Sequence, residues 1–439
     1  MHPDLAKAQE LLDAEDLPGA ARALRGLAEQ VPSGELAWLV QRLGWLAGIE
    51  ELAGAAAVLK DNQDDPAALY EYGYACIEHG LPALAVPALR EALAIVTTPK
   101  RRLFGRPRPV DPKQVRRVLL ELVSALEDGE RHAEAVEVLR AHEAGLGDWP
   151  ERYLMAFNAL MGGQLEAARE VYGRLSGPEE MWRPAGERIA RSLARAAAVP
   201  PVGEQDLRGW HHVLTGGLLL TLSPHGFRAG MTGRYAYLGD TFDNCRFGLE
   251  RLRLVLDATG RGVTSVALLP DRGSRALGLA AAALLGVPAA PYRPGVAGAL
   301  VVAYDLNACD QELVARLSER APDELLYEHA TCWTDTPIVS ADVCGLLVQT
   351  VVAPWEPGLS FDEDGRRREA PPDERPAEQL AEEILAAAGT PDEGDEDAPA
   401  DPDSALAEFA ARAAGVWAVA GAPRDRVRSS GPVPSGRFA

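Results

Sequence analysis

The stretch 67–97, AALYEYGYACIEHGLPALAVPALREALAIVT, constrains this chain more than any other. Gly73 and Gly80 stand seven apart, and Ala85, Leu89 and Ala92 follow at steps of five, four and three. Small side chains at those points let two helices cross closely, while Leu69, Tyr72 and Leu89 fill the space toward neighbouring helices. A helix–turn–helix unit of about 34 residues cannot bury its apolar face alone, so it must stack on others.

This spacing resembles that of the tetratricopeptide repeat. Four more hairpins are expected around it. The first runs over about 4–32, with Ala8, Ala20, Leu24, Leu27 and Pro32 at the small and apolar positions. A degenerate one covers about 35–60. Another spans about 113–142 through Leu119, Leu122, Leu126, Ala135 and Leu139, and the last spans about 152–175 through Gly163, Ala168 and Tyr172. A helix over 187–198 is expected to cap the stack, which makes residues 1–199 an all-α, tetratricopeptide-like solenoid. Between the third and fourth hairpins, TPKRRLFGRPRPVDP is broken by proline and locally basic, and reads as a solvated loop or a docking point for an acidic segment.

A chain of 439 residues predicts two or three domains. Its formal charge of −21 argues against broad affinity for nucleic acid or anionic membrane. Only four lysines (Lys7, Lys60, Lys100 and Lys113) accompany many arginines, a bias that suggests a GC-rich, bacterial-type coding sequence and carries no mechanism. The N-terminus MHPDLAKAQELL has no basic and apolar leader pattern, and the longest apolar stretch, near 212–222, is too short to span a bilayer. Five scattered cysteines fit a reduced cytoplasm.

After residue 200 the texture changes. Strands are expected in 213–223, 233–240, 265–270, 299–306, 324–330 and 345–353, and helices over 243–259, 274–285 and 310–320. Short apolar strands alternating with helices make 201–355 a small α/β domain with a parallel or mixed sheet. From 356 to 439 the chain carries 19 acidic and 9 basic residues, about half of the total imbalance. GTPDEGDEDAPADPD cannot bury enough apolar surface to fold alone, so 356–439 reads as a disordered acidic tail with short helices at about 378–388 and 404–419.

SVALLPDRGSRALGLAAAALLGVPAAPYRPG resembles the pyrophosphate-loop unit of type I phosphoribosyltransferases, in degenerate form across 263–320. The resemblance implies a phosphorylated small ligand held by Asp271, Arg272, Gly273 and Ser274 at a helix N-terminus, with Asp305 at the end of the next strand. The chain departs from that family where paired acids and a Thr-Gly-x-Thr loop belong: it has Tyr304, Asp305 and then Asn307-Ala308-Cys309.

Other polar groups admit two readings. His211 and His212 with His225 are surface residues or a pair meeting across a hairpin. His329 with Cys332, Cys344 and Cys309 offers soft donors without the paired Cys spacing of a structural zinc site, so no metal and no cofactor is expected. Cys332 with His329, and Asp335 nearby, is a conceivable nucleophile pair at a strand end. Thr232-Gly233-Arg234-Tyr235 reads as a turn or an anion contact. Arg116, Arg117 and Arg152 offer charge to an acidic peptide. The first helix of the third hairpin lacks the Lys and Asn of a carboxylate clamp. The expectation is a cytoplasmic scaffold or adaptor that binds a peptide or protein through the repeats. The alternative is an enzyme or sensor whose α/β domain binds a phosphorylated small molecule.

Overall fold

The computed structural model describes residues 3–99, 110–361, 367–427, 429 and 431–436, and the chain divides into two compact units, Met1–Trp182 and Arg183–Ala439. The basic cluster at 100–108 lies outside the described residues.

The first unit is a series of helical hairpins: α1 (Pro3–Asp13) with α2 (Leu17–Leu27), α3 (Ser33–Leu46) with α4 (Glu50–Asp61), α5 (Pro66–Glu78) with α6 (Pro82–Thr97), α7 (Pro112–Asp128) with α8 (His132–Ala141), and α9 (Tyr153–Met161) with α10 (Leu165–Tyr172). Local sequence sets their starts. Asp16, Asp65 and Asp111 accept hydrogen bonds from the first-turn N–H groups of α2, α5 and α7, each of which has proline in that turn. Gly80 turns the chain between α5 and α6 at φ +70°. Gly73 is where α5 meets α6: a Cβ there would fall 2.6 Å from Leu89 Cγ. Leu69, Tyr72, Ala85, Leu89 and Ala92 are all fully buried around that crossing.

The second unit opens with α11 (Arg183–Ala198) and α12 (Leu207–Thr215). The boundary therefore falls before the helix expected to cap the repeats, not after it. The reason is Arg195, buried on α11, which donates to the carbonyls of Val213 and Leu214 at the end of α12. The first three residues of the strand expected over 213–223 are the end of this helix. Only β1 (Leu218–Leu219) remains of that strand.

The sheet continues with β2 (Tyr235–Gly239), β3 (Ser265–Leu268), β4 (Ala289–Pro291), β5 (Ala299–Ala303), β6 (Leu325–Cys332) and β7 (Val343–Val352). All pairings are parallel, in the order β1–β7–β6–β5–β3–β4, and β2 joins the β1 edge of β7 farther along. Between β2 and β3 runs α13 (Phe242–Thr259), and between β3 and β4 runs α14 (Arg272–Leu285), which ends at the left-handed Gly286. The short α15 (Gln311–Arg316) links β5 to β6. Strand periodicity sorts the core: Val266, Leu268, Leu300 and Val302 face α13 and α14, while Ala267, Leu269, Val301 and Ala303 face α15. No helix among the described residues is long and apolar enough to cross a membrane.

Beyond β7, a two-stranded ribbon of β8 (Gly358–Phe361) and β9 (Arg367–Ala370) precedes α16 (Ala377–Ala386) and α17 (Asp403–Ala413). The expectation of a largely disordered acidic tail is corrected for this region. Leu380 and Ile384 of α16, Leu406 and Ala410 of α17, and Trp417 are buried in the same core as α13 and α14. The acidic linker is held by charge. Asp401 accepts from Arg208 at 3.0 Å and from Arg251 at 2.7 Å, and both guanidiniums are buried. Removing one partner of such a pair leaves buried charge unmatched, which costs about 3–5 kcal/mol. Hydrogen exchange on the full chain is therefore expected to find protected amides at 380–384 and 406–413, and Asp401→Ala to lose stability of that order. Exchange at unstructured rates in both helices would contradict this packing.

Candidate functional site

At β3 the chain reverses its progress across the sheet, with β4 on one side and β5 on the other. The crevice at the carboxyl ends of such strands is where parallel sheets place ligands. Asp271 stands there three residues past the end of β3 and Asp305 two past the end of β5, as their sequence positions imply.

The geometry around them is closed by the chain itself. Asp271 caps α14, its Oδ1 accepting the Ser274 N–H at 2.8 Å. Ser274 is fully buried and its Oγ accepts the Tyr304 N–H at 2.9 Å. The Arg272 guanidinium donates to the Asp373 carbonyl. Gly273 lies under Trp355, and a Cβ there would fall 2.8 Å from the indole. Asp305 accepts the Asn307 N–H at 2.8 Å; burial pushes its carboxyl up, and the negative charges of Glu356 and Asp271 add to this. The five residues are thus brought to one crevice, where the Ser274 N–H and the Arg272 guanidinium are already engaged and the neighbouring charges are acidic.

A second cluster adjoins this crevice through Tyr304. Asp240 follows the last residue of β2, where its main-chain N–H still donates to Val352. Its side chain is fully buried. Oδ2 accepts from the Tyr304 hydroxyl at 2.7 Å, from His329 Nε2 at 3.0 Å and from the Cys245 thiol at 3.5 Å, and Oδ1 accepts the Thr241 N–H at 2.9 Å. His329 Nδ1 meets the Tyr327 hydroxyl at 3.1 Å. Gly248 of α13 makes room, since a Cβ would come 2.9 Å from that hydroxyl. Burial alone would raise the Asp240 carboxyl; the charge and hydrogen bond of His329, with the Tyr304 hydroxyl, hold it below the usual range instead. Burial, then the Asp240 charge, pushes the Cys245 thiol and the Tyr304 phenol well up.

His329 also lines a cavity of about 370 Å³, with Asn244, Gly248, Arg251 and the acidic segment that includes Asp392 and Asp401. The cluster thus lies between a packed interior and a hollow lined by several acidic residues.

The remaining sequence candidates do not assemble. His329 and Cys332 are three apart on β6 and point to opposite faces; the Cys332 sulfur meets Thr334 and the Gln349 carbonyl. His225 pairs with Asp392 at 2.7 Å, while His211 sits on α12. Thr232 and Gly233 form a left-handed turn, and Arg234 donates to the Pro434 carbonyl. Asp240, Cys245 and Tyr327 carried no motif. The available signal was an acid at a strand's carboxyl end.

No protein-family model, no curated protein and no solved structure matches this chain.

Because the buried Ser274 Oγ accepts the Tyr304 N–H, Ser274→Ala leaves that N–H unpaired and is expected to cost about 1–3 kcal/mol in denaturant unfolding. Millimolar pyrophosphate should leave the melting temperature of the wild-type chain unmoved. A dose-dependent rise would contradict the closed crevice.

Proposed function

We propose that this chain is a scaffold or adaptor whose helical unit docks a basic peptide segment of a protein partner. One observation carries the reading. On α5, Tyr70 and Tyr74 stack with ring centroids 6.5 Å apart, and the field around Tyr74 is acidic. The Tyr74 hydroxyl is held above its usual range by Glu78 first, and further by Glu121, Glu51 and Glu71. Glu121 accepts from the Tyr70 hydroxyl at 3.2 Å, and Arg117 lies over the Tyr70 ring at 3.9 Å. Arg117 already covers the buried Tyr70 ring, which leaves the half-buried Tyr74, ringed by carboxylates, as the face that suits an incoming Arg or Lys side chain through cation–π contact and charge pairing together.

The position agrees with the resemblance to tetratricopeptide repeats. α5 and α7 are the first helices of consecutive hairpins, the elements that line the groove in stacks of that kind. The opposite polarity is disfavoured. Arg116 pairs with Glu151, Arg117 with Glu71 at 3.0 Å, and Arg152 with Asp148 at 3.0 Å, so none of the three arginines is uncommitted toward an acidic peptide. The alternative of a phosphorylated small molecule at Asp271–Ser274 and Asp305 draws little from a crevice where the Ser274 N–H and the Arg272 guanidinium are engaged and the neighbours are acids.

On a peptide array probed with the full chain, retention is expected to follow Arg and Lys content and to fall with salt. Glu51→Lys with Glu78→Lys should weaken retention at least tenfold, about 1.4 kcal/mol, without moving the melting temperature. Preference for acidic peptides, or indifference to both reversals, would end this reading.

A further inference from the structure

We propose that Asp240, Cys245 and His329 form a binding site for one divalent transition-metal ion of the zinc class. Their donor atoms converge: His329 Nε2 and Asp240 Oδ2 are 3.0 Å apart, Cys245 Sγ and Asp240 Oδ2 3.5 Å, and Cys245 Sγ and His329 Nε2 3.9 Å. All three side chains are buried, and together they are a group whose ligand atoms lie within 4.8 Å of one another. Tetrahedral zinc with ordinary Zn–S, Zn–N and Zn–O bonds places such atoms about 3.4–3.6 Å apart. The present triangle brackets that range, so no edge needs to change by more than about 0.4 Å.

The donor types agree with a borderline-soft ion: one thiolate, one imidazole and one carboxylate. Each is also oriented from behind. The Tyr327 hydroxyl lies on His329 Nδ1, the Thr241 N–H holds the far oxygen of Asp240, and Cys245 sits in the first turn of α13, where the helix dipole favours a thiolate. On binding, the Cys245 thiol proton leaves to solvent as sulfur donates its lone pair to the metal. His329 loses to solvent the Nε2 proton it shares with Asp240, coordinates through that nitrogen, and keeps its proton on Nδ1, donated to Tyr327. Affinity therefore rises with pH. Three protein ligands leave one coordination position, and of the three His329 also lines the cavity shared with Asn244 and Gly248.

This site is independent of the peptide-docking reading, since it lies in the other unit. The test titrates cobalt(II) chloride into metal-free full-length chain. One equivalent is expected to produce thiolate-to-cobalt charge-transfer absorption with the intense visible bands of tetrahedral cobalt, and zinc chloride should displace it and raise the melting temperature. Cys245→Ala, a small substitution, should abolish the charge-transfer band, and Asp240→Asn should weaken binding at least about tenfold. Absence of the band in folded wild type, or its persistence in Cys245→Ala, would overturn the site. If Cys245→Ala does not fold, the wild-type titration alone decides: no thiolate band and no zinc-dependent rise in melting temperature refute it.

Discussion

A carboxylate with no access to water must be matched by donors, and Asp240 is the residue on which the α/β unit makes that demand. Its side chain is fully enclosed, and its partners come from four places: β6 through His329, the end of β5 through Tyr304, α13 through Cys245, and the next residue through Thr241. A buried charge left unmatched costs several kcal/mol. The register of β2 on β7, the seating of α13 over β6 and the ending of β5 are thereby tied to one another. Tyr304 passes the constraint on, because its main-chain N–H binds Ser274 and its ring packs on Trp355 at 4.8 Å. The strand-end crevice and the Asp240 cluster are one connected polar structure.

The same logic, run with the charges exchanged, fastens the acidic segment. Arg208 on α12 and Arg251 on α13 point inward and spend most of their donors on the carbonyls of Leu219 and Leu220 and on Asp401. Buried guanidiniums need an acid, and the acid comes from a stretch that has almost no apolar residues of its own. Once Asp401 is anchored, α16 and α17 add Leu380, Ile384, Leu406 and Trp417 to a core that α13 and α14 cover only in part.

Local signals were readable where a residue's role depended on its neighbours in sequence. Gly73 opposite Leu89, the Asp-Pro starts of α5 and α7, the glycine ending α14 and the apolar runs of β3, β5 and β7 all follow from spacing and capping. The short helices at 377–386 and 403–413 were visible as periodicity too. What could not be read was anything settled by partners far along the chain. Asp401 looks like part of a solvated acidic run until Arg208 and Arg251 stand beside it, some 150 residues or more away in sequence. Asp240, Cys245 and His329 span three elements and fit no fixed interval. Residues 271–274 do begin a helix past a strand end, yet only the fold reveals that Asp271 and the Tyr304 N–H engage Ser274 and that Trp355 packs on Gly273.

The two units thus offer different chemistry: stacked tyrosines in an acidic field on one, and a buried Asp–His–Cys cluster beside a cavity on the other. The second rests on the Asp240–His329 contact, and a double-mutant cycle of Asp240→Asn and His329→Gln by urea unfolding in chelator measures it most directly. The account predicts a coupling of about 1.5 kcal/mol or more, with each single variant costing nearly as much as the pair. Additive effects, with coupling near zero, would contradict it.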